Sequence, residues 1–223
     1  MNFPERQHAY PSQNGSSNDL TEPDLSCGSD ARLWDQFRGG NKNAFDIIYD
    51  TFFQSLCSYG DRICTDKSLV EDVVQDLFIY LWTKKERLGK TNSIKFYLFC
   101  CLRRRLMRVL AQEKRTSGLH AVLEPDRYHF RISLKESSTP SLEEEALRTK
   151  LTSALNRLTE RQREAIYLKF YNDLSFLEVA TIMDIEVRSV YNLIGRTLAL
   201  LRAVLRPKEP SATTLTSLFL FFF

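Results

Sequence analysis

The stretch LSFLEVATIMDIEVRSVYNLIGRTLALLR, residues 174–202, decides the fold. It reads as a short helix over 176–183, a tight turn at MDIE, and a longer helix from Val187. Ser175 followed three residues later by Glu178 is a capping box, in which side chain and backbone at a helix start satisfy one another. Two helices joined by so short a turn form a helix-turn-helix. In the second helix Val187, Val190, Ile194, Leu198 and Leu201 recur at helical spacing and face inward. Arg188, Ser189, Asn192 and Arg196 face outward, toward the end of a recognition helix that enters a major groove. Arginine suits guanine edges or phosphates, asparagine suits adenine, and serine suits phosphate. A solvated face on a four-helix bundle fits the same pattern, so the pattern alone leaves both readings open.

Upstream, the helical grammar continues. Thr159 with Gln162 and Ser141 with Glu144 repeat the capping box. The second block therefore spans residues 141–206, with helices over 142–156, 160–171, 176–183 and 187–206, and Pro207 and Pro210 end it. Residues 115–140 contain Gly118, Pro125, a Ser/Thr cluster and Pro140, and read as a flexible linker. Extended, some 25 residues reach about 80 Å, more than two turns of DNA at roughly 34 Å each.

A first block lies over residues 29–114. DARLWDQFRGG is a short helix stopped by Gly39 and Gly40. NAFDIIYDTFFQSLCSYGDRI follows, with Phe45, Ile48, Phe52, Leu56 and Tyr59 near helical spacing. In SLVEDVVQDLFIYLW, Ser68 and Glu71 form another capping box, and Val70, Val73, Val74, Leu77 and Leu81 make a core face. The opposite face carries Asp72, Gln75, Asp76 and Ile79. An apolar residue among acids, flanked by Trp82, suits a protein partner, although such a face is ordinarily just solvated. The next helix, SIKFYLFCCLRRRLMRVLAQEKR, gathers Arg103, Arg104, Arg105, Arg108, Lys114 and Arg115 almost unopposed by acids. With Phe96, Tyr97 and Phe99 just upstream, it offers charge for phosphates and rings for unstacked bases, while most of those rings also suit a core. The fold class is thus all-α: two small helical bundles joined by a flexible linker, the second containing a helix-turn-helix.

Composition narrows the rest. The 223 residues carry a net charge of +3, which neither demands nor excludes a nucleic-acid partner. Five cysteines form no CxxC pair and three histidines lack ligand spacing, so no metal site is expected. Four cysteines inside apolar helical patterns suggest packing residues in a reducing, cytoplasmic compartment. Residues 1–28, rich in Pro, Ser, Asn and Gly, read as a disordered extension without a secretory h-region. No run reaches the ~20 apolar residues of a membrane span. The tail over 207–223 ends in SLFLFFF, which suits a docking or degradation tag, or packing back onto the second block. GxxxxGK[ST], GxSxG and HExxH are all absent. The chain is therefore not expected to be an enzyme, and neither a cofactor nor a small-molecule substrate is expected.

Five segments together resemble a known family. FDIIYDTFF, VEDVVQDLFIYLW, SIKFYLF, LTERQREAIYLKFYNDLSFLEVATIM and VRSVYNLIGRTLALLR occur in the order and spacing of bacterial RNA polymerase sigma factors of the extracytoplasmic-function (ECF) class. The resemblance covers about residues 30–206 and implies a transcription initiation factor with a region 2 domain (29–114) and a region 4 domain (141–206). It implies that Asp72, Gln75, Asp76, Ile79 and Trp82 meet the β′ clamp of core RNA polymerase, with the β flap a further contact. It implies that Lys95, Arg103, Arg104 and Arg108, with the loop over 83–93, bind and melt the minus-ten element of promoter DNA. Arg188, Ser189, Tyr191, Asn192 and Arg196 would read the minus-thirty-five element. The linker matches the segment that threads toward the polymerase active site.

The chain departs from the family pattern at four places. Asp184 stands where glycine is frequent in the helix-turn-helix turn, and aspartate tolerates the left-handed conformation. Glu186 replaces the usual Ser or Thr cap. Arg103-Arg104 replaces a frequent Arg-Asn pair, and Arg108 takes an often acidic position, making this helix more basic than usual. VYNLIGRTLALLR is similar to versions common in Bacteroidetes-type members, which implies control by a membrane-bound anti-sigma protein. Two rivals remain: a stand-alone helix-turn-helix regulator, and a decoy that binds polymerase without acting on DNA. An inhibited state is expected to cover both the Asp72 face and the Arg188 face.

Overall fold

Hydrophobic periodicity at 3.6 residues builds the main helices of the computed structural model, which describes residues 25–116, 130–131 and 142–205. The first block has four helices: α1 (Leu25–Arg38), α2 (Lys42–Ile63), α3 (Lys67–Lys84) and α4 (Ile94–Thr116), with a 3-10 turn at Lys85–Arg87. The second has α5 (Leu142–Asn156), α6 (Glu160–Ile166), a π-helical turn at Tyr167–Tyr171, α7 (Phe176–Met183) and α8 (Val187–Leu205). No strand occurs among the described residues. Helix α1 starts at Leu25, inside the segment expected to be disordered. The remainder of that extension, most of the linker, Ser141 with its capping box, and the tail lie outside the described residues.

On α3 the expected core face is the observed one: Val70, Val73, Val74, Leu77 and Leu81 are all buried, joined by Phe78. Removing each from water contributes about 1.5–3 kcal/mol. The start of α3 differs from expectation. Asp66, not Ser68, caps it by accepting from the Leu69 amide at 3.1 Å, so the Ser68–Glu71 box falls inside the first turn. Helices α2 and α3 come close at Gly60, where a Cβ would meet Val70 Cγ1 at 2.4 Å. Only glycine allows that approach without a shift of the valine.

Helix α1 straps the connection between α3 and α4. Trp34 Nε1 donates to the Gly89 carbonyl (2.8 Å), Arg38 Nε to the Leu88 carbonyl (2.7 Å), and Asp30 accepts from the Ile94 amide (3.0 Å) at the start of α4. The polar sequence of this connection gave no sign of the strap.

In the second block the capping boxes at Thr159–Gln162 and Ser175–Glu178 are both formed. The helix expected over 160–171 opens into a π turn after Ile166, because Asn172 donates its amide to the Tyr167 carbonyl (3.1 Å) and its side-chain amide to the same oxygen (3.3 Å). Asp184 ends α7 in the left-handed conformation (φ 56°, ψ 49°), with Ile185 donating to Ala180 (3.0 Å). Aspartate therefore does serve here in place of glycine.

The two blocks do not sit apart. One hydrophobic core runs from α1–α4 through Phe130 into α6, the π turn, α7 and the first half of α8. A smaller cluster of Leu151, Ala154, Leu155, Leu158, Ile166 and Leu201 joins α5, α6 and α8.

Candidate nucleic-acid interface and partner surface

Helix α8 anchors itself with Val190, Ile194 and Leu201, which are buried, and with Val187 and Leu198, which are half-buried. That fixes its rotation. Arg188, Ser189, Tyr191, Asn192 and Arg196 consequently all stand exposed, within its first three turns. Tyr191 stacks on Phe176 of α7 with centroids 4.1 Å apart, so its ring is held in place although 55% exposed. Among the described residues neither Arg188 nor Arg196 takes part in an ion pair. Two uncompensated guanidiniums, a serine and an asparagine at the N-terminal half of an exposed helix can contact phosphates and base edges in a groove.

Helix α3 presents Asp72, Gln75, Asp76 and Ile79 to solvent, with Ile79 64% exposed. Trp82 is half-buried against Phe45 (centroids 5.1 Å), with Lys85 Nζ 4.3 Å above its ring, so only part of it is on offer. Asp76 has a long contact of 3.7 Å with Arg105 of α4. An ion pair this exposed contributes little stability and leaves the carboxylate accessible to a partner.

The arginines of α4 separate into two groups. Arg104 and Arg108 are exposed. Arg103 turns instead into the second block, where its Nε and Nη2 donate to Glu164 at 2.9 and 3.4 Å. Lys95 also reaches across, donating to the Asn172 carbonyl at 3.2 Å. The cluster is unopposed only along its own segment; Glu164 and Asp76 oppose it from other elements. The cysteines and the tyrosine just upstream of the arginines on α4 add no negative charge. Burial pushes the Cys100 thiol up to about 12, and burial likewise raises Cys101 and the Tyr97 hydroxyl, so all three stay neutral.

Sequence reasoning missed the residues that join the blocks. Glu164 is fully buried and accepts from the Tyr59 hydroxyl at 2.5 Å as well as from Arg103. Phe130 is fully buried beside Tyr59 and Tyr167, with centroids 6.0 and 5.6 Å away. In the chain alone the Asp72 face and the Arg188 face are both open. What the second block meets is the face of α4 that carries Lys95 and Arg103.

Family comparisons agree with this layout. Residues 48–116 match the model of Sigma-70 region 2, and residues 148–201 match that of Sigma-70, region 4. The chain is 27% identical over 173 residues to the ECF RNA polymerase sigma-E factor of Escherichia coli (strain K12), covering 75% of this chain and 90% of that protein. It is 26% identical over 161 residues to the ECF RNA polymerase sigma factor SigL of Mycobacterium tuberculosis (strain ATCC 25618 / H37Rv), covering 71% and 87%. Among solved structures, the sigma factor RpoE in complex with the anti-sigma factor NepR from Bartonella quintana superposes with a TM-score of 0.52 at 20% identity, covering 74% of this chain and 98% of that one, a likeness of fold.

Proposed function

We infer from its membership of the ECF sigma factors, with regions 2 and 4 in order along the chain, that this protein binds core RNA polymerase and directs promoter-specific transcription initiation. The observation that carries the residue-level reading is the exposed row Arg188, Ser189, Tyr191, Asn192 and Arg196 on a recognition helix held by a left-handed Asp184 turn. These residues read the minus-thirty-five element: asparagine and arginine supply base discrimination, and serine supplies phosphate contact. Arg104 and Arg108, with Lys95 and Arg103 once they are released, hold the minus-ten strand through phosphate contacts. The acidic face Asp72, Gln75, Asp76 and Ile79, edged by Trp82, docks on a basic polymerase surface at the β′ clamp, and the second domain meets the β flap.

The work divides between residues 29–114 and 141–206, tethered by the linker, so neither half needs high affinity alone. The protein itself catalyses nothing, and the bond-making belongs to the polymerase. It acts in the cytoplasm, and an anti-sigma protein of the membrane-bound kind controls it. The similarity of VYNLIGRTLALLR to versions in Bacteroidetes-type members supports that subtype.

Run-off transcription with purified core polymerase over a genomic promoter library tests this reading. New transcripts sharing two upstream elements are expected with the wild-type chain. They are expected to vanish with Asp72→Arg combined with Asp76→Arg, both exposed and thus replaceable without unfolding the helix. Core-independent, tight DNA binding without transcripts would instead mark a stand-alone regulator.

A further inference from the structure

We propose that the free chain is self-closed: region 4 covers part of the minus-ten helix, and Glu164 is the latch. This rests on the DNA reading of α4 given above. Glu164 is 0% exposed and receives three hydrogen bonds from the other block, one from Tyr59 and two from Arg103. A buried carboxylate is tolerable only while such partners are in place, so the contact is all-or-none and not graded. Domain separation ends the burial of Glu164 and releases Arg103 in the same step.

The surroundings reinforce the latch. Tyr59 and Tyr167 lie nearly parallel (7°) at 6.0 Å across the junction, and the Arg62 guanidinium sits 4.3 Å from the Tyr167 ring centroid. The linker is pinned in the same place. Arg131 and Arg62 exchange two hydrogen bonds of 2.9 Å, Arg131 amide to Arg62 carbonyl and Arg62 Nη1 to Arg131 carbonyl. Arg163 Nη1 of α6 donates to the Phe130 carbonyl at 3.2 Å. Phe130 thus acts as a wedge held by both blocks.

Closure consumes two of the four proposed minus-ten contacts, Lys95 and Arg103, and leaves Arg104 and Arg108 exposed. It also leaves the α3 acidic face and the α8 recognition face open. Polymerase docking is therefore compatible with the closed chain, and strand capture is the step that closure blocks.

The test compares the full wild-type chain with Glu164→Gln by small-angle X-ray scattering and by anisotropy of a fluorescein-labelled single-stranded DNA of mixed sequence. The variant is expected to be more extended and to bind the DNA about tenfold or more tightly, as removal of a competing closed population requires. Adding Arg103→Ala is expected to abolish the gain. A wild-type chain that is already extended, or a Glu164→Gln chain that stays compact with unchanged affinity, overturns the latch. If Glu164→Gln fails to fold, Tyr59→Phe removes a single hydrogen bond of the set and is expected to shift both readouts in the same direction by less; no shift overturns the proposal. Arg104→Ala with Arg108→Ala separates the two failures. If that pair lowers wild-type DNA binding while Glu164→Gln does nothing, only the latch is wrong. If the pair changes nothing, the DNA reading of α4 is wrong and the latch loses its meaning with it.

Discussion

Replacing Phe130 by alanine measures how far the two halves depend on one linker side chain. The ring is fully buried and lies 6.0 and 5.6 Å from Tyr59 and Tyr167, which belong to different blocks. Truncating a buried phenylalanine costs about 3–5 kcal/mol, including aromatic pair contributions of about 0.5–1.5 kcal/mol each. The hydrogen bonds at 130–131 use the main chain of those residues and survive the change. Arg131 next door is exposed, so water can reach part of the vacated space. The low end, about 3 kcal/mol, is therefore expected. Urea denaturation followed by circular dichroism reads it. With a slope of about 1–3 kcal/mol/M, the midpoint falls by about 1 M or more. Arg131→Ala serves as the control and stays within about 0.5 kcal/mol of wild type. An unchanged midpoint in Phe130→Ala would show that the ring is not buried in solution, and the reasoning for a linker wedge would collapse.

Other expectations follow from single contacts. Gly60→Ala drives a methyl into Val70, and overpacking of this kind costs about 1–3 kcal/mol, read as a lower thermal midpoint. Burial, with help from Asp61 and Glu71, pushes Cys57 up to about 11, so thiol labelling of native protein at pH 8 is slow compared with unfolded chain. The sign for stability follows from the same shift. The unfolded thiol ionises first, near 9, so this contribution is intact below that pH and is lost as pH rises toward 11, visible as a falling urea midpoint. Arg188→Ala and Asn192→Ala each remove about 1–3 kcal/mol of base discrimination, read as altered promoter choice in the transcription library, while the thermal midpoint hardly moves because both side chains are exposed.

Local signals made most of the helices legible. The spacing of Val70, Val73, Val74, Leu77 and Leu81 announces a core face, and Ser175 with Glu178 announces a helix start, because both features involve residues within two turns of each other. The exposed face of α8 is legible for the same reason. What joins the halves was not legible. Glu164 and Arg103 are 61 residues apart, and no periodicity relates them. Arg103 looks like one of a row of solvent-facing arginines until the buried carboxylate opposite is seen. Phe130 lies in a segment whose composition says only linker. The cap of α3 shows a smaller version of the same problem, since Asp66 competes with Ser68 two residues on and the outcome depends on where the preceding helix ends.

The strap over the α3–α4 connection has an evolutionary corollary. Trp34 and Arg38 grip carbonyl oxygens of Leu88 and Gly89, and every residue type supplies a carbonyl at those places. The grip is thus blind to side-chain identity at exposed Gly89 and Lys90. Mutation can rewrite those two positions while the frame holding them stays still. If this segment helps choose the melted base, it is an interchangeable cassette, and new promoter preferences can arise there without any payment in fold.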